Sequence, residues 1–146
     1  MSVGLLRVLV QNQVISSSRA EHYEEELAVS RDIIPLLFDD GVIDAKELSA
    51  LLSRVFSYPL LDLRYYPRSE VLSDVISDEK ILQNRCVPIF RRGRKIYLAV
   101  SDPTQIHHFQ KIAFSSGCSV DLVVVRDDQL SMLLEWIEQR STTILK

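Results

Sequence analysis

Few side chains in this sequence have the spacing of catalytic or metal-binding groups. Asp39 and Asp40 are adjacent at a predicted helix end, where neighbouring side chains point in different directions, so they do not form a paired-carboxylate site. His107 and His108 diverge by about 100° around a helix, which prevents both rings from binding one metal ion. We expect at least one of these histidines to be an ordinary surface residue.

The cysteines, glycines and serines exclude further kinds of site. Cys86 and Cys118 lie in apolar runs, so we expect two buried free thiols, and the chain has no Cys-x-x-Cys pair. The four glycines are isolated, and no Gly-x-x-x-x-Gly-Lys-Ser/Thr segment forms a phosphate-binding loop. No serine has a local histidine or a glycine elbow. The sequence therefore predicts no metal site and no catalytic residue.

The most concentrated positive charge lies in the segment Arg-Arg-Gly-Arg-Lys over residues 91–95. Two interpretations stay open. The basic side chains can form a solvated turn that also blocks edge-to-edge pairing of a sheet. Alternatively, Arg91, Arg92 and Arg94 bind an acidic surface of a partner protein, because guanidinium groups pair well with carboxylates.

The composition is that of an ordinary globular protein. Of the 146 residues, 47% are hydrophobic and 25% are charged, and the formal net charge is −3. This charge disfavours nucleic acid and anionic lipid as partners. No apolar run approaches the roughly 20 residues that cross a bilayer, and the first residues do not form a signal peptide. We therefore expect a cytoplasmic protein without direct membrane insertion.

Residues 1–60 predict a helical lobe. Apolar spacing predicts helices over 3–10, 19–29 and 33–38, and a fourth that follows residue 44. Ser-x-x-Glu at Ser18 and Asp-x-x-Glu at Asp44 are capping boxes for the second and fourth helices, and Gly41 ends the third.

The two halves of this lobe repeat each other at an offset of 28 residues, as in the match of Leu9 with Leu37 and of Ile15 with Ile43. Each half is a helix, a tight turn and a capped helix, and neither half can bury its apolar face alone. The sequence therefore predicts a tandem helix-turn-helix repeat, although two unrelated amphipathic hairpins would give a similar pattern.

Residues 61–146 predict an α/β lobe. An extended piece over 60–63 precedes short helices over 69–75 and 78–84, and a β-hairpin forms from 86–90 and 96–100 around Gly93. A helix starts at Pro103, a strand covers 120–125, and Asp127 or Asp128 caps a last helix. The strand-strand-helix-strand-helix order predicts an α+β fold whose second lobe is a small mixed sandwich.

Several segments of the chain carry a family resemblance, namely residues 1–14, 36–43, 54–63, 87–93 and 98–103. The most specific are Tyr-Pro-Leu-Leu-Asp-Leu over 58–63 and Val-Ser-Asp-Pro over 100–103. Together they resemble the N-terminal domain of a PilB or PilF type IV pilus assembly ATPase, which is related to the N-terminal domains of GspE and MshE. The resemblance implies that the catalytic ATPase domain, with its ATP and Mg²⁺, lies outside this chain. It also implies a hexameric full-length protein and a non-catalytic domain here.

The resemblance further implies a regulatory and docking role at the cytoplasmic face of the inner membrane. Domains of this family connect the pilus extension motor to the inner-membrane platform and to cytoplasmic adaptors, so we expect partners such as PilC, PilM or PilZ. The alternative is a regulatory domain that binds cyclic di-GMP.

Some family members bind cyclic di-GMP on two copies of the motif Arg-Leu-Gly-x-x-Leu-Val-x-x-Gly-x-Ile. This chain keeps the motif residues Leu5, Leu9, Val10, Ile15, Leu37, Gly41, Ile43, Leu48 and Pro59. However, Gly4 and Asp32 replace the two arginines, Leu6 and Ile34 replace the first glycine of each copy, and Gln13 replaces a second glycine. Because phosphates need donors and close backbone approach, the sequence predicts a degenerate motif without appreciable binding.

Overall fold

The computed structural model describes residues 3–27 and 32–144. Contacts between residues divide the chain into two compact units, Met1–Leu48 and Ser49–Lys146. A helical first part precedes a three-stranded mixed sheet with helices, in the predicted order of elements. The α+β class is thereby confirmed, and the assignment of two functional domains to residues 1–60 and 61–146 stays a prediction.

In residues 3–27 and 32–56 the helical part contains four α-helices. They are α1 (Val3–Gln11), α2 (Ser17–Leu27), α3 (Ile34–Asp39) and α4 (Ala45–Phe56), and α4 begins in the first unit and ends in the second. These bounds agree with the predicted helices to within a few residues. The predicted end of the second helix at Val29 lies outside the described residues.

The N-terminal cap of α2 differs from the predicted one. The hydroxyl oxygen of Ser16 accepts a hydrogen bond from the backbone N–H of Arg19 at 3.1 Å. The prediction of a capping box at Ser18 is wrong, because the helix already begins at Ser17 and Ser18 lies inside its first turn. A cap must precede the first helical residue to satisfy the free amides there, and Ser16 does so.

The predicted capping box of α4 is confirmed. The Asp44 carboxylate accepts from the backbone N–H of Glu47 at 2.7 Å, and the Glu47 carboxylate accepts from the backbone N–H of Asp44 at 3.3 Å. Asp44 lies 28 residues after Ser16, so the two caps occupy equivalent positions of the repeat.

The turns after α1 and α3 have the same hydrogen bonds. After α1, the amides of Asn12, Gln13 and Val14 donate to the carbonyls of Val8, Val10 and Leu9 at 3.0, 3.1 and 2.9 Å. After α3, three bonds join the equivalent atoms 28 residues later, at 3.0 Å each. Both turns are Schellman motifs that require a left-handed residue, which is Gln13 (φ 61°) in one and Gly41 (φ 70°) in the other.

The sheet has the order β1-β2-β3. Strand β1 (Val87–Arg92) is antiparallel to β2 (Lys95–Val100), and β2 is parallel to β3 (Ser119–Val124). The predicted extended piece lies along the other edge of β3, where the Leu61 N–H donates to the Val124 carbonyl at 3.0 Å. The hairpin and the third strand are therefore confirmed.

Three α-helices of the described residues accompany this sheet. They are α5 (Asp78–Asn84), α6 (Ile106–Phe114) and α7 (Asp127–Ile144). Helix α6 contacts β3, and α7 contacts both β2 and α5. The core between them contains the buried side chains of Ile81, Ile96, Leu98, Leu122, Leu130 and Ile137. None of the helices in the described ranges is long and apolar enough to cross a membrane.

The helix predicted over residues 69–75 is wrong. The segment contains only a 3₁₀ turn, Arg68–Glu70, and then leaves the helical path. The backbone N–H of Leu72 donates to the carbonyl of Pro88 in β1 at 2.9 Å. This tertiary hydrogen bond takes an amide that a continuing helix needs, so packing overrides the local preference.

Candidate functional site

The predicted basic cluster lies at the end of the β1–β2 hairpin, and the sheet divides it between two faces. Arg91 is the cross-strand partner of Ile96, Arg92 is the partner of Lys95, and Gly93 with Arg94 forms the two-residue turn. Gly93 has a φ of 61°, the left-handed value that a type II′ turn requires at this place. Because cross-strand partners share a face, Arg91 lies on the face of the buried Ile96 and Arg92 lies on the opposite face.

Two aromatic side chains share the face of Arg92. Phe90 and Tyr97 are cross-strand partners, and their ring centroids are 5.5 Å apart. The Phe90 side chain is 57% exposed, although a phenylalanine is usually buried. We call the surface formed by Phe90, Arg92, Lys95 and Tyr97 the hairpin face. Sequence reasoning missed the two rings, which alternation along each strand could have placed beside the basic residues.

The charges at the hairpin end are only partly compensated. The Lys95 ammonium lies 3.3 Å from a carboxylate oxygen of Asp121 on the neighbouring strand. The Arg91 Nε donates to the carbonyl of Gly93 at 2.9 Å. In the ranges that the structure describes, the guanidinium groups of Arg92 and Arg94 pair with no carboxylate. The structure thus brings the three predicted arginines into one hairpin, and within the described residues none of the three pairs with a carboxylate.

A second polar cluster lies beyond the carboxyl ends of β2 and β3, where ligands bind in many open α/β sheets. Asp127 Oδ1 accepts from the hydroxyl of Ser101 at 2.7 Å and from Arg85 Nη2 at 2.9 Å. The same Arg85 nitrogen donates to the Ser131 hydroxyl at 2.8 Å. These groups satisfy one another, so the cluster ties β2, α5 and α7 together. Sequence reasoning missed it because Arg85 and Asp127 lie far apart in the chain.

The other polar residues considered from the sequence do not form a site. His107 is exposed, as expected for at least one histidine of the pair, and His108 Nε2 lies 2.5 Å from the side-chain oxygen of Asn84. The Tyr23 hydroxyl donates to the Asp40 carboxylate at 2.6 Å. In residues 3–27 and 32–144, no three His, Cys, Asp or Glu side chains lie close enough together to hold a metal ion.

The two cysteines differ in burial. Cys86 is buried, as expected, and burial raises the pKa of its thiol to about 12. Cys118 is only half-buried, so the expectation for this residue is wrong. Cys118 lies in the turn between α6 and β3, and its Sγ is 3.6 Å from the carbonyl of Ser116.

Most residues of the degenerate cyclic di-GMP motif lie in the core. The side chains of Leu5, Leu9, Ile15, Leu37, Ile43 and Leu48 are buried, Val10 is half-buried, and Gly41 and Pro59 are exposed. The aliphatic side chains that replace glycine are buried too, with Leu6 1% and Ile34 3% exposed. Asp32, which replaces an arginine, accepts a hydrogen bond from the backbone N–H of Ile34 at 3.1 Å. The buried positions of the motif therefore stabilise the helical unit.

Comparison with known sequences places the chain in a family. Residues 56–144 match the MshEN domain. The type IV pilus assembly ATPase PilB of Acinetobacter baylyi is 31% identical over 132 residues, which are 90% of this chain and 23% of that protein. PilB of Pseudomonas aeruginosa is 24% identical over 140 residues, which are 95% of this chain and 25% of that protein. The chain thus spans about a quarter of the length of these curated relatives.

Solved structures show the same fold. A structure of MshE with cyclic di-GMP has a TM-score of 0.65 at 20% identity, over 91% of this chain and 97% of that one. The N-terminal domain of XpsE has a TM-score of 0.60 at 19% identity, over 88% of this chain and 90% of that one. With a family match over more than half of its residues, the chain belongs to the MshEN domain family and is homologous to type IV pilus assembly ATPase PilB.

Proposed function

We propose that this chain is the regulatory and docking domain of a type IV pilus extension motor. It couples the motor to the inner-membrane platform protein PilC and to cytoplasmic adaptors such as PilM or PilZ, at the cytoplasmic face of the inner membrane. The observation that carries this proposal is the hairpin end, where Arg92 shares a face with the exposed ring of Phe90 and where, within the described residues, Arg92 and Arg94 have no ion-pair partner. Arginine and aromatic side chains are the residues that contribute most at protein interfaces.

The chemistry of the motor lies outside these residues in this proposal. The 146 residues contain no phosphate-binding loop, so ATP, Mg²⁺ and the hexameric ring belong to the ATPase domain of the full-length protein. Purified chain is expected to release no phosphate from ATP above a buffer blank. Turnover that a point substitution within the chain abolishes would contradict this part of the proposal.

We also propose that the helical unit does not bind cyclic di-GMP, although MshE has been solved with that ligand. Residues 1–48 contain four Lys and Arg against nine Asp and Glu, a formal charge of −5 that opposes an anionic ligand. Asp32 places a carboxylate where the motif has a guanidinium group. Leu6 and Ile34 are buried, so they occupy the core in place of the glycines that allow close backbone approach.

Two measurements test the docking proposal against the nucleotide alternative. Biolayer interferometry of the immobilised chain with PilM, PilZ and the cytoplasmic part of PilC is expected to show saturable binding to at least one of them. Calorimetry with cyclic di-GMP is expected to show no heat of binding. A dissociation constant in the low micromolar range for the dinucleotide, without binding to any of the three proteins, would reverse the assignment.

Substitutions that restore residues of the cyclic di-GMP motif provide a control for the calorimetric test. Gly4→Arg with Asp32→Arg returns both guanidinium groups and leaves the core intact, so this variant is expected to fold and to move toward binding. The glycine replacements are less useful, because removal of the buried Leu6 or Ile34 side chain costs about 3–5 kcal/mol of stability. Wild-type binding as tight as that of the double arginine variant would show that the substitutions do not matter.

A further inference from the structure

We infer that docking uses one side of the hairpin only, the hairpin face, and that its occupant is an acidic segment of a partner protein with an apolar side chain beside its carboxylates. This inference rests on the proposed docking function and specifies the partner chemistry. It assigns a binding role to Arg92 and not to Arg91, although the two residues are adjacent and identical in type.

The two sides of the sheet differ in what covers them. On the side of Arg91, the β2 residues Ile96 and Leu98 are fully buried, so the protein's own core occupies that side. The Arg91 Nε is also engaged with the Gly93 carbonyl. On the opposite side, Phe90 is 57% exposed at the same level of the sheet. Arg91 itself is exposed, but its cross-strand partner Ile96 belongs to the core, whereas the hairpin face combines an exposed arginine with an exposed aromatic ring.

The charges of the hairpin face favour an acidic occupant. Arg92 and Lys95 are directly opposed across the two strands, and like charges in this position repel each other. Asp121 compensates Lys95 at 3.3 Å, and its side chain is 48% exposed. Arg92 keeps a planar guanidinium group that can bind a carboxylate through two parallel hydrogen bonds. A carboxylate of the partner would pair with the Arg92 guanidinium group and would reduce the repulsion between Arg92 and Lys95.

The rings of the hairpin face favour an apolar side chain next to that carboxylate. Phe90 and Tyr97 form the pair next to Arg92 and Lys95 on the same side of the sheet, two residues along each strand. The exposed part of the Phe90 ring offers apolar area to a partner. Asp121 shares this face and would oppose the phosphates of a nucleic acid or of an anionic bilayer. A protein segment, which can place its own basic or neutral group near Asp121, fits better than either.

The experiment uses the whole chain and the proteins named above, PilM, PilZ and the cytoplasmic part of PilC. Arg92→Ser and Phe90→Ser are compared with Arg91→Ser, a matched control that makes the same change on the neighbouring residue of the same strand. Arg92→Ser and Phe90→Ser are each expected to weaken binding about tenfold or more, and Arg91→Ser less than about twofold. Circular dichroism and the fluorescence of Trp136 check that the variants fold.

Other binding results would contradict the inference or the docking proposal. If binding persists and Arg91→Ser weakens it as much as Arg92→Ser, or if neither Arg92→Ser nor Phe90→Ser weakens it, the one-sided inference is wrong and the docking proposal stands. If the wild-type chain binds none of the three proteins, the docking proposal fails and the inference fails with it. Binding to phosphatidylglycerol vesicles that Arg92→Ser abolishes, in place of protein binding, would assign the hairpin face to a membrane and overturn the inference.

Discussion

Replacement of Gln13 by glycine is expected to stabilise the helical unit. Gln13 is exposed and has a φ of 61°, a left-handed conformation that costs an ordinary L-residue about 1–2 kcal/mol. Glycine removes this strain, but its greater backbone freedom stabilises the unfolded state by about 0.4–1 kcal/mol. The net gain in the free energy of unfolding is therefore about 0.5–1 kcal/mol. In urea unfolding followed by circular dichroism, the midpoint is expected to rise by about 0.3–0.5 M.

The repeat supplies the matched control for this prediction. Gly41 occupies the equivalent place with a φ of 70°, and a Cβ built there meets nothing within 4 Å. Gly41→Gln therefore introduces backbone strain without a steric clash, and it is expected to lower the free energy of unfolding by about 0.5–1 kcal/mol. The reasoning is refuted if Gln13→Gly leaves stability unchanged or lowers it, or if Gly41→Gln is neutral.

Three further predictions concern the second unit. Asp127→Ala leaves the buried Ser101 hydroxyl without its acceptor and removes the ion pair with the half-buried Arg85, so it is expected to cost about 1–3 kcal/mol in chemical unfolding, more than Asp127→Asn. Burial alone raises the pKa of Asp78, but hydrogen bonds from Ser141 and Arg140 lower it overall, so Asp78 stabilises the fold above its ordinary pKa and the contribution disappears as the pH falls through the lowered value. The measurement compares the free energies of unfolding of wild type and Asp78→Asn at pH 7 and at pH 3. A difference between the two proteins that is equal at both pH values would refute the prediction. A thiol reagent at pH 8 is expected to label Cys86 only after unfolding, because burial raises its pKa to about 12.

The helical repeat could be predicted because its signals are local. The cap at Asp44 and the left-handed glycine at residue 41 each act within one turn of chain, so their residue types indicate the structure directly. The cap at Ser16 was missed although the 28-residue offset from Asp44 points to it. The Ser-x-x-Glu pattern that starts two residues later, at Ser18, also predicts a cap. Only the repeat distinguishes Ser16 from Ser18 as the cap of α2.

An irregularity in β1 hides which residues after it face the core, although alternation still relates these residues to one another. The pairing register shifts between Pro88 and Phe90, so strict alternation along the strand does not continue past this point. A one-residue shift moves each later side chain to the other face of the sheet. Sequence reasoning grouped Arg91 with Arg92 by adjacency. Alternation alone places these two residues on opposite faces, and the bulge decides which face each of them takes, with Arg91 opposite the buried Ile96.

Contacts between distant segments account for the remaining differences. The residues at 69–75 have the composition of a helix, but the N–H of Leu72 is bonded to β1. The Arg85–Asp127 pair joins residues that lie 42 positions apart in the chain. Neither contact has a signature in the neighbouring sequence, because each depends on the packing of the sheet against its helices.

The most direct test of the docking function is a calorimetric titration of the purified chain with the cytoplasmic part of PilC, and then with PilM and PilZ, at low and at high salt. The proposal predicts saturable binding to at least one of these proteins, and this binding weakens as salt screens the guanidinium groups of the hairpin. Absence of binding to all three proteins at low salt, or an affinity that salt does not change, would contradict it.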